Sequence, residues 1–267
     1  MTNDFELYNQ LLNRRYDPQK QPNAEQIVHT IKGKVVGTLQ NYIVYSGLPK
    51  ASKSTYVAAV AASALLPHYQ DVFGLKIHLP KERERIGYFD TEMSNFDFYR
   101  QIDKIKNLAG KKSLPENFDA FTMREDMPSK IRKLIEEYLK TYSDCSLLII
   151  DGFLDLCLNY NDEKETRLLT NWFKRITKEF NVLLIGVIHL GKGGGETLGH
   201  LGSNTDRWAQ STLIVEKNVE QNQFVLRPKF LRSSDDFDPI AITNFAGEWR
   251  ETNYIESINQ PQKKSKK

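Results

Sequence analysis

The chain has 267 residues, of which 40% are hydrophobic and 27% charged, and its formal net charge is only +3. That length fits one large domain better than two small ones, with apolar content enough for a sizeable core. So small a net charge excludes a uniformly polyanion-binding surface, so any nucleic-acid contact must come from local patches; the lack of an apolar run of about 18 residues argues against a membrane span or a membrane partner.

Residues 1 to about 30 are polar with scattered Leu, Ile and Val, and read as a helix, a Pro-containing loop and a second short helix. Their first stretch, MTNDFELYNQLLNRRYDPQ, carries acids and no apolar h-region, so no secretory leader is expected. Gly33 to Ser46 reads as a strand pair, and Tyr56 to His68 as a helix apolar nearly all round, suited to burial beside a sheet. Arg85 to Phe89 reads as a strand, Phe96 to Leu108 as a helix, Phe118 to Met123 as a short strand and Ile131 to Tyr142 as an amphipathic helix.

Ser146 to Ile150 is apolar on both faces, the mark of a strand in a parallel sheet. A helix over Thr166 to Phe180 and a second fully apolar strand over Val182 to Ile188 continue the alternation. The pattern predicts an α/β fold with a mostly parallel central sheet flanked by helices. After Gly202 the character changes: Ser211 to Glu216, Gln223 to Leu226 and Ile240 to Phe245 read as short strands of an antiparallel C-terminal extension. Cys145 and Cys157, the only cysteines, sit in or near apolar runs without metal-ligand spacing, so buried free thiols and a reducing, cytoplasmic setting are expected. The closing QPQKKSKK reads as a basic disordered tail. The expected organisation is a helical segment over 1–30, one domain over 31–252 and the tail over 253–267.

The most informative stretch is Gly47-Leu48-Pro49-Lys50-Ala51-Ser52-Lys53-Ser54-Thr55. It lies between the apolar run Tyr42 to Tyr45 and the helix that follows, as a phosphate-binding loop does. The loop pattern is G-x-x-x-x-G-K-[ST]; Ser52 stands at the second glycine. Inward-pointing N–H groups of such a loop form an anion nest at a helix N-terminus. Lys53 is then the residue for the β- and γ-phosphates, and the Ser54 hydroxyl for Mg²⁺. Ser52 carries a cost, because a Cβ resists backbone angles that glycine accepts.

Asp151 ends the strand Leu147 to Ile150, and ligands of open α/β sheets bind outside such strand ends. It is placed to hold Mg²⁺ through water and to orient Ser54. Attack of water on a γ-phosphate also needs a carboxylate that orients the water, and Glu92 and Asp90 both stand at the end of the strand after the phosphate-loop helix. The two differ by one strand face. His189 ends the strand Val182 to Ile188, where it is placed to touch the γ-phosphate and report its loss to the glycine-rich loop Gly191 to His200. Lys192 and His200 are that loop's candidates for contact with DNA.

GLPKASKST, YFDTEMS (Tyr88 to Ser94), LLIIDGFLDL (Leu147 to Leu156) and LLIGVIHLGK (Leu183 to Lys192) follow one another in the order of RecA-like P-loop ATPases. Within that class the chain resembles single-domain hexameric replicative helicases of the plasmid RepA and DnaB type, and ATPases of plasmids and mobilisable transposons. The resemblance spans residues 30 to 248. It implies ATP and Mg²⁺ as cofactors, Glu92 rather than Asp90 as catalytic base, His189 as sensor, and a channel-lining loop that touches single-stranded DNA. It further implies a homo-oligomeric ring in which Lys229 and Arg232, with Arg227 as rival, reach a neighbour's γ-phosphate. No primase-binding domain is expected, which favours the RepA type.

The first expectation is therefore an ATP-hydrolysing motor on single-stranded DNA, of helicase type, serving replication or mobilisation of a mobile element alongside other replication or mobilisation proteins. The alternative is an ATP-dependent DNA-binding or loading factor that does not unwind, which Ser52 favours, since slow hydrolysis suits a switch. A metabolic P-loop kinase is the remote third option: Gly191 to Gly202 offers Lys192 but no arginine for a lid.

Overall fold

The computed structural model describes residues 2–20, 24–191 and 199–256. Its elements are α1 (Thr2–Leu12), β1 (Ile27–Ile31), β2 (Lys34–Thr38), β3 (Tyr42–Gly47), α2 (Lys53–Ser63), β4 (Leu75–Ile77), β5 (Arg85–Asp90), α3 (Asn95–Leu108), β6 (Phe118–Thr122), α4 (Pro128–Thr141), β7 (Cys145–Asp151), a 3₁₀ turn (Phe153–Leu156), α5 (Glu163–Glu179), β8 (Leu183–His189), α6 (Gly199–Trp208), β9 (Ser211–Asn218), β10 (Gln223–Leu231), β11 (Ile240–Phe245) and β12 (Glu248–Thr252).

Nine strands form the central sheet, in the order β12-β11-β10-β9-β3-β8-β7-β5-β6. From β9 to β6 every pairing is parallel; β10, β11 and β12 add antiparallel strands at one edge. The expected fold class is therefore the observed one. Helices cover both faces of the parallel part. Along β3 the side chains alternate: Ile43 and Tyr45 enter the core beneath α2 and α3, while Tyr42 and Val44 enter the core shared with α4 and α5. Burial on both sides is why β7 (CSLLIID) and β8 (LLIGVIH) contain almost nothing polar before their last residue.

The helices start where their caps place them. Ser94 Oγ accepts from Asp97 N at 3.2 Å to open α3, and Asp162 Oδ1 accepts from Glu165 N at 2.7 Å to open α5. Pro128 opens α4 from the first turn, where its missing N–H costs nothing. α2 has nearly every side chain buried, as its all-round apolar sequence requires.

The structure departs from the sequence reading in four places. The second N-terminal helix is instead strand β1, which joins β2 and β4 in a separate three-stranded antiparallel sheet. His29 of β1 ties that sheet to the main one through Nε2, which meets the Tyr45 hydroxyl of β3 at 2.8 Å, while Nδ1 meets Lys76 O of β4 at 3.1 Å within the small sheet. The pair expected over Gly33 to Ser46 exists as two strands in different sheets. α2 begins at Lys53 and ends at Ser63, short of Pro67, whose ring resists a continuing helix. β4, α6 and β12 had no counterpart in the sequence reading. Cys145 and Cys157 are buried free thiols. The basic tail from 257 onward lies outside the described residues, and no described helix is long and apolar enough to cross a membrane.

Candidate functional site

Sheet register brings the sequence candidates to one edge. Gly47 lies opposite His189 across β3 and β8 and opposite Val215 across β3 and β9, while Asp90 lies opposite Asp151 across β5 and β7. These are the carboxyl ends of parallel strands, where open α/β sheets bind ligands.

Gly47 is fixed by its neighbour strand: a Cβ there would stand 2.4 Å from Val215 O. The chain then turns through Lys50 (φ 64°) and Ser52 (φ 65°, ψ 31°), both left-handed, and enters α2 at Lys53. Ser52 thus adopts the backbone of the glycine it replaces, at a cost of roughly 1–2 kcal/mol for a residue with a Cβ. Its carbonyl accepts from Thr55 N at 3.0 Å, so the first turn of the helix forms normally.

Lys53 is 6% exposed and folds back over the loop. Its Nζ donates to Gly47 O at 2.9 Å, Leu48 O at 3.0 Å and His189 Nδ1 at 3.1 Å. Burial lowers the ammonium's pKa below the usual lysine range, and the Glu92 and Asp151 charges oppose that shift. An ammonium has only donors, so Nδ1 of His189 accepts, and in the neutral ring Nε2 carries the proton. Nε2 faces Glu92, 3.3 Å from Oε1. Lys53, His189 and Glu92 form one hydrogen-bonded chain.

Asp151 is 3% exposed and accepts hydrogen bonds from Ser54 and from the Tyr88 hydroxyl, the latter at 3.1 Å. Burial pushes its carboxyl up to about 6, the Glu92 charge adds to the rise, and Tyr88, Ser54 and Lys53 oppose it. A hydroxyl and a carboxylate so paired are hard oxygen donors of the kind Mg²⁺ takes, so Ser54 and Asp151 are the residues that would hold it.

Asp90 and Glu92 separate cleanly. Asp90 is fully buried; Oδ1 accepts from Met93 N at 2.7 Å, and Oδ2 has no hydrogen-bond partner among the described residues. Burial raises its carboxyl to about 7, with Asp151 and Glu92 charges contributing. Asp90 therefore closes the turn that presents Glu92, whose side chain is 40% exposed. Thr91, between them, donates to Asp155 Oδ2 at 2.8 Å, tying this turn to the one after β7. There Gly152 has φ 122°, and a Cβ would stand 2.1 Å from Thr91 Oγ1.

Lys229 and Arg232 are not brought to this edge. β10 runs antiparallel to β9, so Leu226 is level with Gly47 while Leu231 is level with Ile43, about 13 Å lower along the sheet. Lys229 Nζ is held by Asp206 Oδ2 at 2.6 Å, Arg232 donates to the Arg207 carbonyl, and Arg227 pairs with Glu216 at 2.6 Å. His200 is exposed at the start of α6. Lys192, with the rest of 192–198, lies outside the described residues.

Residues 23–195 match the family described as the AAA domain. The chain belongs to that family. The match takes in the phosphate loop, both carboxylate turns and His189, and it stops before α6 and the strands β9 to β12. This AAA domain is an AAA-type P-loop ATPase, and nucleotide binding, generally with Mg²⁺, goes with that class. No curated protein matches the chain.

The sequence reading did not single out Tyr88, Gln101 or Asp155. Gln101 Nε2 donates to Ser54 O at 2.6 Å and reaches the Tyr88 hydroxyl at 3.3 Å, bracing the Ser54–Asp151 pair from α3. One signal was available: Gln101 is a polar residue on the same helical face as Phe98 and Ile105, the inward side of α3.

Proposed function

We propose that this AAA-type ATPase is an ATP-hydrolysing motor on single-stranded DNA, of helicase type, acting in a homo-oligomeric ring for replication or mobilisation of a mobile element. The observation that carries the reading is the chain Lys53–His189–Glu92, because it joins the phosphate-binding lysine, the proposed base and the residue two before Gly191. Glu92 takes the proton of the attacking water while Lys53 holds the γ-phosphate. Ser54 and Asp151 are the residues that would hold Mg²⁺, which would supply neutralisation of phosphate charge there.

Lys53 cannot serve a phosphate while it donates to Gly47 O and Leu48 O. Nucleotide entry exchanges those carbonyls for charged oxygens, which bind an ammonium more strongly. His189 Nδ1 loses its donor in the same step, so the loop that begins at Gly191 is tied to the state of the phosphate. That loop is the proposed contact with single-stranded DNA, through a sequence-tolerant basic surface. In a ring, Lys229 or Arg232 completes the neighbour's site, and Lys229 must then leave Asp206.

Phosphate release from ATP, measured with and without a single-stranded oligonucleotide, tests the reading, together with unwinding of a forked duplex. Stimulation of release and strand separation support it. Release that ignores the oligonucleotide overturns it.

One observation favours the loading factor instead. Two residues with a Cβ, Lys50 and Ser52, are left-handed in the phosphate loop. Strain of that kind suits slow turnover, and a switch tolerates slow turnover better than a motor. Rings or filaments that persist in ATP, without unwinding, would select it.

A further inference from the structure

Lys104 lies on α3, half-buried, in the turn that faces the start of α2. Its Nζ donates to Thr55 Oγ1 at 3.2 Å and stands 5.9 Å from the centre of the Trp249 ring on β12. Among the described residues no carboxylate lies within ion-pair distance of it. A half-buried cation without a counter-ion is costly, and burial lowers its pKa below the usual lysine range while the more distant Asp151 charge works against that. The acids around it are otherwise engaged: Asp103 pairs with Lys106 at 2.6 Å, Glu248 with Arg250 at 2.5 Å, and Asp97 accepts from Ser94 at 2.7 Å. Its close partners are a neutral hydroxyl and an aromatic face, neither of which neutralises it, so an anion would be the complementary ligand.

Lys104 and Trp249 line a cleft of about 1090 Å³ between α3 and the β11–β12 hairpin, with the Lys104 ammonium over the Trp249 ring, and Ser54 lines the same cleft. The cleft is therefore continuous with the phosphate site, and it is large enough for a nucleoside. Lys53 and Ser54 serve the outer phosphates and the metal. Lys104 meets Thr55, one residue further along α2 than Ser54, so an anion beside Lys104 would be a phosphate further in than the outer two.

Resting on the reading of Gly47 to Thr55 as a phosphate loop, we propose that Lys104 is a nucleotide-binding residue that contacts this innermost phosphate, and that the Trp249 ring, over which Lys104 Nζ lies in the nucleotide-free chain, then stacks on the base. The hairpin, outside the stretch matched to the AAA domain, then supplies the specificity for a nucleotide over a bare polyphosphate.

Dissociation constants for ATP, ADP and inorganic tripolyphosphate, each with Mg²⁺, test this on the full chain and on Lys104→Gln, Lys104→Arg and Trp249→Ala, with thermal unfolding as the check on folding. Lys104→Gln should weaken all three ligands by about tenfold, the loss of one charged hydrogen bond, and Lys104→Arg should restore most of it. Trp249→Ala should weaken ATP and ADP by a similar factor and leave tripolyphosphate unchanged. Wild-type binding of ATP with no change in either folded variant overturns the inference alone. A Trp249→Ala loss shared equally by tripolyphosphate overturns the stacking role. A wild-type chain that binds none of the three overturns the phosphate-loop reading itself.

Discussion

Glu92 and His189 meet at 3.3 Å, Oε1 to Nε2, although β7 lies between the strands that carry them. The contact requires Glu92 to stand clear of the sheet, and Asp90 makes that possible by taking the buried position on the same turn. The two carboxylates therefore predict opposite phenotypes. Glu92→Gln should keep ATP binding within a few-fold and lower the hydrolysis rate by about 10²–10⁴, the range of a lost general base. Equal rates for Glu92→Gln and wild type, at saturating ATP, would remove Glu92 from the mechanism.

Lys53 is the second test. Replacing it with Ala deletes three hydrogen bonds that close the loop and the cation for the outer phosphates. ATP affinity should fall by at least about tenfold, from the loss of charged hydrogen bonds worth roughly 1.5–3 kcal/mol each. Calorimetric titration with ATP and Mg²⁺ measures this. Unchanged affinity would mean that the loop does not hold the phosphates.

The parallel core was legible because its strands leave no ambiguity: β7 and β8 are apolar at successive residues, and only burial on both faces tolerates that. The placement of Gly47, Asp151, Glu92 and His189 at one sheet edge was legible because each ends or follows such a strand, and register then fixes their neighbours. β1 was misread because Val28 and Ile31 stand three apart, as on a helix; its identity as a strand comes from pairing with β2 and with β4, the latter more than forty residues on. β4 is only three residues long, and α6 begins just after a run of glycines, so neither carries a periodic signal. Tyr88, Gln101 and Lys104 act through side chains whose partners lie on other elements, and no local spacing announces that.

Ser52 offers a measurable consequence of its backbone. At φ 65° a Cβ costs roughly 1–2 kcal/mol, and glycine gives back about 0.4–1 kcal/mol through the freer unfolded chain. Ser52→Gly should therefore stabilise the nucleotide-free protein by about 0.5–1 kcal/mol, read as a higher denaturation midpoint in urea. If loop strain also limits turnover, the same variant hydrolyses ATP faster than wild type. A lower midpoint would show that the serine is needed where it stands.

Asp90 makes the stability of the nucleotide-free protein depend on pH in a set direction. Its carboxyl is raised from 3.8 to about 7 by burial, with the Asp151 and Glu92 charges adding to it. A raised carboxyl binds its proton more tightly in the folded state, so its contribution is full below about 4 and is lost as pH rises toward about 7. Above that the charged group is held at a cost on the order of 2 kcal/mol, allowing for water at the mouth of the site. Asp90→Asn keeps an acceptor for Met93 N and removes the charge. The variant should match wild type near pH 4 and exceed it at pH 8, so the difference between their thermal midpoints should open across that interval. A constant difference over the whole range would mean that Asp90 does not titrate there, and that the turn holding Glu92 carries its buried charge without cost.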